Sequence, residues 1–521
     1  MQDSTRYIVL PAYGFTGSVL GSRKLQAGVG LLRLDARAGL LRLDARAGLP
    51  DDAALADDGG AAATTMTVLD AIRPDGPKLV EMTPQAEMNL RAEMPGLKII
   101  PIVTYRKMRA EHFVRKAAGA EAAAGDGGIT VKVVDAASGA GVAGARVVAF
   151  TDFRNRAGDE GVSGPDGSAA LRIREGARLD RLYVYGPPRY WGYFAGGIDA
   201  ARRSTIGIAA IDLGDPNLLM RRLYGAATDR VGAGVTVGVI DSGIAKRHPN
   251  LPGVEGANMV FDELQADPSA VDEWGPATND GEHGTHVAGI IGARASRGLD
   301  LVGVAPGVAL RSYRVFPNTG GDATNYDIMK AIDRAVADGC HVINLSLGGG
   351  EPDEGVRSAI GAALDAGCLV VAAAGNDHRR PVSFPATLDA CVAVSAMGRK
   401  SSFPSDSSEV ADVTKPYGTD PDEFIAAFSN FGPQIDLTGP GVGIVSTLPD
   451  DTFGVMSGTS MAAPAIAGFA ARLMMTDPDI RDASPSNRVA IWKAKLFGLG
   501  VPQAFGRDYE GSGLPLDAVV S

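Results

Sequence analysis

Five runs rich in apolar residues recur from residue 235 onward: Val235 to Asp241, Leu310 to Val315, Val342 to Leu347, Leu369 to Ala374 and Val392 to Ser395. A strand with one wet face would alternate, so these runs predict strands buried on both faces, as in a parallel sheet covered on either side. The stretches Asp327 to Asp338 and Gly355 to Asp365, lying between them, predict helices. This succession predicts an α/β fold on a doubly wound, mostly parallel sheet. Such a sheet collects its ligand site at the C-terminal ends of its strands, where Asp241, Ser346 and Asn376 fall. The Ala- and Gly-rich run Met461 to Met475 predicts a buried helix with Ser460 at its start and Pro464 in its first turn, where a missing N–H costs little. The apolar stretch Val287 to Ile291 predicts another, beginning at His283.

Upstream the pattern differs. Residues 1–110 read as a small α+β segment: strand-like Tyr7 to Pro11, a polar and Ala-rich middle, strand-like Lys78 to Met82, helix-like Thr83 to Glu93 and strand-like Leu97 to Tyr105. Inside it a nine-residue unit, Leu-Arg-Leu-Asp-Ala-Arg-Ala-Gly-Leu, occurs at Leu32 to Leu40 and again at Leu41 to Leu49. Two copies are too few for a solenoid, so a duplication in a surface loop is expected. Residues 111–128 follow as a linker whose Ala- and Gly-rich part, Ala117 to Gly128, is a place where self-cleavage is expected. Residues 129–198 switch to short β-type runs, Ile129 to Val134, Ala145 to Thr151, Ala169 to Ile173 and Arg181 to Tyr185, separated by turn signals at Ser138-Gly139 and Pro165-Asp166-Gly167. Gly144-Ala145-Arg146-Val147 with Asp166-Gly167 downstream resembles the small transthyretin-like or immunoglobulin-like sandwiches appended to many bacterial enzymes. Residues 199–521 hold the main α/β domain and a C-terminal tail.

A chain of 521 residues exceeds one ordinary domain and can bury a large core. Its net charge of −11 argues against nucleic acid or an anionic membrane as main partner. No apolar run reaches the ~18 residues of a membrane span. Three cysteines make no disulfide framework; Cys340, Cys368 and Cys391 adjoin apolar strands and are expected to be buried free thiols.

Three segments carry the chemistry: Val-Thr-Val-Gly-Val-Ile-Asp-Ser-Gly around Asp241, Gly-Glu-His-Gly-Thr-His-Val-Ala-Gly around His283, and Ser-Gly-Thr-Ser-Met-Ala-Ala-Pro around Ser460. A serine hydroxyl is inert near neutral pH unless a base takes its proton and donors receive the oxyanion. Ser460 at a helix start gains from free N–H groups and the helix dipole. His283 can serve as the base, with Asp241 at a strand end orienting it. Asn376 can donate to the oxyanion beside the Ser460 N–H. Any one of these motifs alone is commonly just a turn; their joint occurrence is what points to acyl transfer. His283 and His286 have the i,i+3 spacing of zinc ligands, but four other histidines and no paired cysteines make a poor zinc site, so no metal is expected there. His112, His248, His341 and His378 read as structural or exposed. Gly232-Ala233-Gly234 precedes its strand, whereas a dinucleotide fingerprint follows one.

At these residues the chain resembles the subtilisin-like serine proteases, or subtilases, whose triad runs Asp, His, Ser in the same order. Further matches are His248-Pro249-Asn250-Leu251, Gly303-Val304-Ala305-Pro306, Val342 to Gly349, Ala372 to Asn376 and Phe428-Ser429-Asn430-Phe431-Gly432, so that the resemblance covers residues 212–476. It implies a serine endopeptidase acting on proteins or peptides, without a required cofactor. The layout of residues 1–110 is similar to the inhibitory prodomains that precede many subtilases, which implies an intramolecular inhibitor and a self-processed precursor. Ser346, Leu347, Gly348, Ala373, Ala374 and Gly375 would line the primary specificity pocket, Gly320 and Gly321 would supply the opposite substrate edge, and Asp377 would favour a basic side chain before the scissile bond. Two departures stand out. The family's tight calcium site has an aspartate where this chain has Asn250, and its loop is here Ala295-Ser296-Arg297-Gly298; that is a poor cage for a hard cation, so the site is not carried over. The polar insertion Arg399 to Glu423 is expected to be a solvated loop. Two other functions fit the same residues: a binding or scaffold protein silenced by its N-terminal segment, and a peptide ligase using the same acyl-enzyme. The N-terminus lacks a basic stretch followed by an apolar signal core, which points to the cytoplasm, whereas the resemblance points to export.

Overall fold

A computed structural model of the chain describes residues 4–10, 30–35, 40–44, 65–74, 76–93, 96–108, 110–117, 128–225, 227–276, 281–296 and 298–517. The central sheet runs, edge to edge, Glu255–Asn258, Ala309–Arg314, Thr236–Asp241, Val342–Leu345, Leu369–Ala373, Cys391–Arg399 and Glu423–Ile425, with Leu437–Pro440 also pairing with Cys391–Arg399. Every pairing is parallel except that of Glu423–Ile425, so the doubly wound α/β architecture is as the apolar runs predict. Successive side chains of one strand enter opposite cores. Val237, Val239, Leu369, Val371 and Ala373 pack with the helices Glu282–Gly292 and Thr459–Thr476, while Ile240, Ile343, Val370 and Ala372 pack with Asn325–Ala337 and Glu354–Asp365. Cys391–Arg399 extends well beyond the predicted Val392 to Ser395, because Arg399 can end a buried strand inside an ion-pair cluster with Asp420 and Glu423.

The strands Leu40–Asp44, Gly30–Asp35, Thr65–Ala71, Lys78–Met82, Thr5–Leu10 and Lys98–Pro101 form one N-terminal sheet in that order. The duplicated unit is not simply a loop. Its two Leu-Arg-Leu-Asp halves pair as antiparallel strands, Leu32 opposite Leu43 and Leu34 opposite Leu41, as their period-2 pattern permits. The remainder of the repeat lies outside the described residues, as do Arg297 and residues 118–127 of the proposed linker. One sheet face packs on the helix Pro84–Glu93 through Val80, Met82, Ala86 and Leu90. The other, with Ile8, Leu79 and Ile100, joins the core of Asn325–Ala337 and Glu354–Asp365, and ion pairs Lys98–Glu354 (2.6 Å) and Lys330–Asp70 (2.8 Å) flank that contact. The predicted strand Leu97 to Tyr105 is broken in two. Lys98–Pro101 stays in this sheet, whereas Thr104–Lys107 leaves it and pairs with Ala323–Thr324 and Leu347–Gly348.

Residues 129–208 form two small sheets around one core. One holds Ser168–Leu171, Ile129–Asp135 and Arg203–Ile208; the other holds Tyr193–Asp199, Arg178–Tyr185, Arg146–Asp152, Ala157–Val162 and Lys116–Ala117. Arg203–Ile208 thus pairs across the boundary read at residue 198. The insertion Arg399 to Glu423 is not a solvated loop: Phe403, Ser407, Glu409 and Asp412 are buried, and Asp406 accepts from Phe194 N of the second sheet at 2.8 Å. Cys340, Cys368 and Cys391 are buried free thiols, and burial pushes Cys391 up to about 12. Among the described residues no helix is long and apolar enough to cross a membrane.

The helix Glu282–Gly292 approaches the turn after Asp241 so closely that a Cβ on Gly284 would lie 2.4 Å from the Gly243 carbonyl oxygen. Overpacking a contact of this kind costs about 1–3 kcal/mol. Gly284→Ala is therefore expected to lower the unfolding free energy by that amount in denaturant titrations; an unchanged midpoint would show that the helix has room to move.

Candidate active site

Asp241 ends the strand Thr236–Asp241, and His283 lies in the first turn of Glu282–Gly292; both are fully buried. His283 Nδ1 is 2.8 Å from Asp241 Oδ1 and 3.0 Å from Oδ2, and Ser242 N–H donates to Oδ1 at 2.7 Å. Burial by itself pushes the carboxyl up, but the His283 ring and these hydrogen bonds outweigh it and hold Asp241 below the usual carboxylate range. Ser242 Oγ donates to Gly281 O at 3.1 Å and accepts from Gly284 N–H at 3.0 Å, which ties the strand end to the helix start.

Ser460 is the second residue of Thr459–Thr476, a helix whose Gly468 approaches Val304 closely. Its Oγ donates to Ser346 O at 2.9 Å, and Ser346 Oγ donates back to Ser460 O at 2.8 Å. Asn376 follows the strand Leu369–Ala373. Its Oδ1 accepts from Thr459 N–H at 2.9 Å and Thr459 Oγ1 at 2.8 Å, which fixes the amide so that Nδ2 faces the cleft. There Nδ2 donates to the Met108 carbonyl at 2.5 Å. A Cβ on Gly458 would lie 2.5 Å from that same carbonyl oxygen, so a glycine beside Ser460 is what admits it.

The cleft thus holds a segment of the chain itself. Tyr105 and Thr104 pair antiparallel with Ala323 and Thr324 on one side, and Lys107 and Arg106 with Leu347 and Gly348 on the other. Met108 N–H donates to Ser346 O at 3.4 Å, and Ala110 N–H to Ser457 O at 3.1 Å. Tyr105 is 1% exposed and packs on Phe384, and Met108 is 2% exposed with its methyl beside Gly348. Lys107 Nζ sits 5.3 Å from the centre of the Phe316 ring, and its charge adds to the lowering at Asp241. This is β-augmentation, an extended strand captured between two edges.

Of the residues read from the sequence, Ser460, Asn376, Ser346, Leu347 and Gly348 meet at this cleft, and the paired Asp241 and His283 lie near enough for the Lys107 charge to act on Asp241. Ala373 shares an apolar cluster with Met108, and Ala374 and Gly375 lead into Asn376. Gly320 and Gly321 do not form the opposite edge. Both have positive φ, 82° and 111°, in the turn just before Ala323–Thr324, which is the edge. His286 bonds Ile444 O at 3.0 Å and His248 Thr452 O at 3.1 Å. Asn250 Nδ2 donates to Arg294 O (2.7 Å) and Leu299 O (3.0 Å), which ties the His-Pro-Asn-Leu turn to the loop after the helix Glu282–Gly292. The sequence reading missed Met108, whose only signal was an apolar residue closing the Tyr-Arg-Lys run. It also gave no role to Asn430, which accepts from Asp377 N–H at 2.9 Å and donates to Asp377 Oδ2 at 3.1 Å.

Past Met108 the chain runs onto the small sheets. His112 N–H donates to Tyr185 Oη at 2.9 Å, the His112 ring lies between Phe153, Tyr183 and His378, and Lys116–Ala117 pairs with Ala157–Gly158. A cleft lined by His112, Tyr185, Glu409 and Asp412 lies along this path. Burial pushes the carboxyls of Glu409 and Asp412 up; Glu111 adds to the rise at Glu409 and Glu409 to that at Asp412, while Arg181 opposes the latter.

A family model described as the subtilase family matches residues 232–507. The chain is 34% identical over 263 residues to subtilisin DY of Bacillus licheniformis, covering 50% of this chain and 83% of that protein. It is 33% identical over 279 residues to subtilisin Savinase of Lederbergia lenta, covering 52% and 90% respectively, and 33% identical over 279 residues to subtilisin of Bacillus pumilus, covering 52% and 89%.

A carboxyl whose value is raised by folding contributes stability that is complete below its unfolded value and is lost as pH rises through its folded one. The wild type is therefore expected to lose stability as pH rises above the ordinary carboxylate range. Asp412→Asn should melt higher than wild type at pH 8 and gain nothing at pH 4; equal melting temperatures at both would refute a charge effect here.

Proposed function

The chain belongs to the subtilase family and is a subtilisin-like serine endopeptidase, and from this we propose that Ser460, His283 and Asp241 are its nucleophile, base and orienting acid, and that it processes itself after Met108. Ser460 Oγ attacks the peptide carbonyl as His283 takes its proton. With Nδ1 facing Asp241, the ring keeps Nε2 as its basic nitrogen, and the buried carboxylate stabilises the imidazolium formed. Asn376 Nδ2 and the Ser460 backbone N–H receive the oxyanion. The proton then passes from His283 to the leaving amine, and water releases the acyl group from Ser460 by the same steps in reverse.

One observation carries the reading of self-processing: the Met108 carbonyl accepts from the fixed Asn376 amide beside Ser460, in a strand paired on both sides as a substrate would be. The cut is accordingly assigned to the bond after Met108 and not to Ala117 to Gly128, where composition had pointed. Residues 4–108 are the prodomain that delivers this strand and then inhibits in the same place. The two small sheets are an appended sandwich of transthyretin-like or immunoglobulin-like kind. No metal enters the mechanism. A protein permanently masked by the same segment shares the seated strand, and processing separates the two readings.

Intact mass of the purified protein, with and without a fluorophosphonate probe, tests this. Wild type is expected to yield a fragment ending at Met108 and to take one adduct, while Ser460→Ala gives neither and loses roughly 10⁴-fold or more in turnover. A full-length wild-type chain that stays unlabelled would favour the masked protein. Asn376→Ala should keep the fold and lose about 10²–10³ in kcat; an unaltered kcat would remove it from the oxyanion site.

A further inference from the structure

The seated strand presents four side chains in different surroundings. Tyr105 and Met108 are buried, and Lys107 lies over Phe316, whereas Arg106 runs out along the rim with its side chain 52% exposed. There its guanidinium pairs with Oδ1 of Asp377.

Asp377 is held ready for that contact by its own domain. Its N–H donates to Asn430 Oδ1 at 2.9 Å, and its Oδ2 accepts from Asn430 Nδ2 at 3.1 Å and Ser383 Oγ at 3.4 Å, so only Oδ1 is turned to the strand. Asn430 is fixed in turn, since its N–H donates to Gly375 O at 2.9 Å and Nδ2 reaches Ala374 O at 3.3 Å. Gly349, at φ 97°, lies under the arginine stem, where a Cβ would come 3.7 Å from Nε and 3.8 Å from Cγ. A carboxylate restrained at its far oxygen, above a glycine floor that leaves room for an aliphatic stem, is a receptor for a long cation.

Resting on the reading that Met108 supplies the attacked carbonyl, we propose that Asp377 is a specificity residue selecting a basic side chain two residues upstream of the one cleaved after. The residue next to the scissile bond is not its target. That position is filled by Met108, 2% exposed in an apolar pocket, and the Asp377 carboxylate faces Arg106 instead. The natural substrates are then proteins or peptides with arginine or lysine at that position and an unbranched apolar residue before the cut.

The test uses the processed enzyme and quenched peptides carrying Tyr-Arg-Lys-Met, or the same with Glu in place of Arg, before a common leaving sequence. An ion pair this exposed has a modest effect, so wild type should favour the Arg peptide by about three- to fivefold in kcat/KM from attraction alone. The ratio should fall as salt screens it. Asp377→Asn should bring the ratio toward one, and Asp377→Arg should invert it. An Arg-to-Glu ratio that is the same in wild type and Asp377→Asn would overturn the proposal while leaving cleavage after Met intact. Absence of cleavage after Met in every peptide would overturn both the functional reading and the proposal. Should the variants fail to fold, a wild-type ratio that does not respond to salt overturns it alone.

Discussion

A fully buried carboxylate is costly unless charge and hydrogen bonds meet it from several sides, and Asp241 is met on each: His283 Nδ1 on both oxygens and the Ser242 N–H on one. Those partners come from a strand end and a helix start whose relative position is set by glycine. Gly284 lets the helix Glu282–Gly292 close on Gly243, and Gly289 lets its far turn close on Ser446 and Thr447. The same close packing carries Ser460, because Thr459–Thr476 lies against that helix and crosses the sheet on the same face. Small residues therefore set the geometry that brings Asp241, His283 and the Ser460 helix to their places.

The second organising feature is Thr459. Its N–H and hydroxyl hold Asn376 Oδ1, and its hydroxyl also receives Gly375 N–H at 3.1 Å. The Asn376 amide that meets the Met108 carbonyl and the helix that carries Ser460 are thus one hydrogen-bonded unit, joined through Thr459 and not through the seated strand. Pre-set donors of this kind cost nothing to reorganise when charge develops. A one-atom change at Thr459 would loosen both at once.

Much of this was legible in the sequence where local chemistry and burial coincide. Val235 to Ile240 carries one polar residue, Thr236 near its start, because both of its faces are covered, and its end at Asp241 follows from the sudden appearance of a carboxylate. The motifs around His283 and Ser460 are equally local. What could not be read depended on partners distant in the chain. Ala157–Val162 is a strand with the composition of a turn, because Gly158 must let the Ala149 carbonyl approach. Glu409 and Asp412 look solvated in sequence and are buried against the small sheets. The break between Pro101 and Thr104 follows from two competing sheets claiming one extended stretch, a contest that no local pattern records.

The strand in the cleft is gripped from both ends by different parts of the molecule. Before Met108 the hold is the N-terminal sheet lying on two helices; after it, the ring of His112 and the pairing of Lys116–Ala117 with the small sheets. Neither grip uses the bond between them. A chain cut at that bond would keep its outline, running as two bands on a denaturing gel and as one species on a sizing column. The delay before a cut molecule could accept another substrate would then be set by how fast one sheet slides off two helices, a matter of dissociation and not of catalysis.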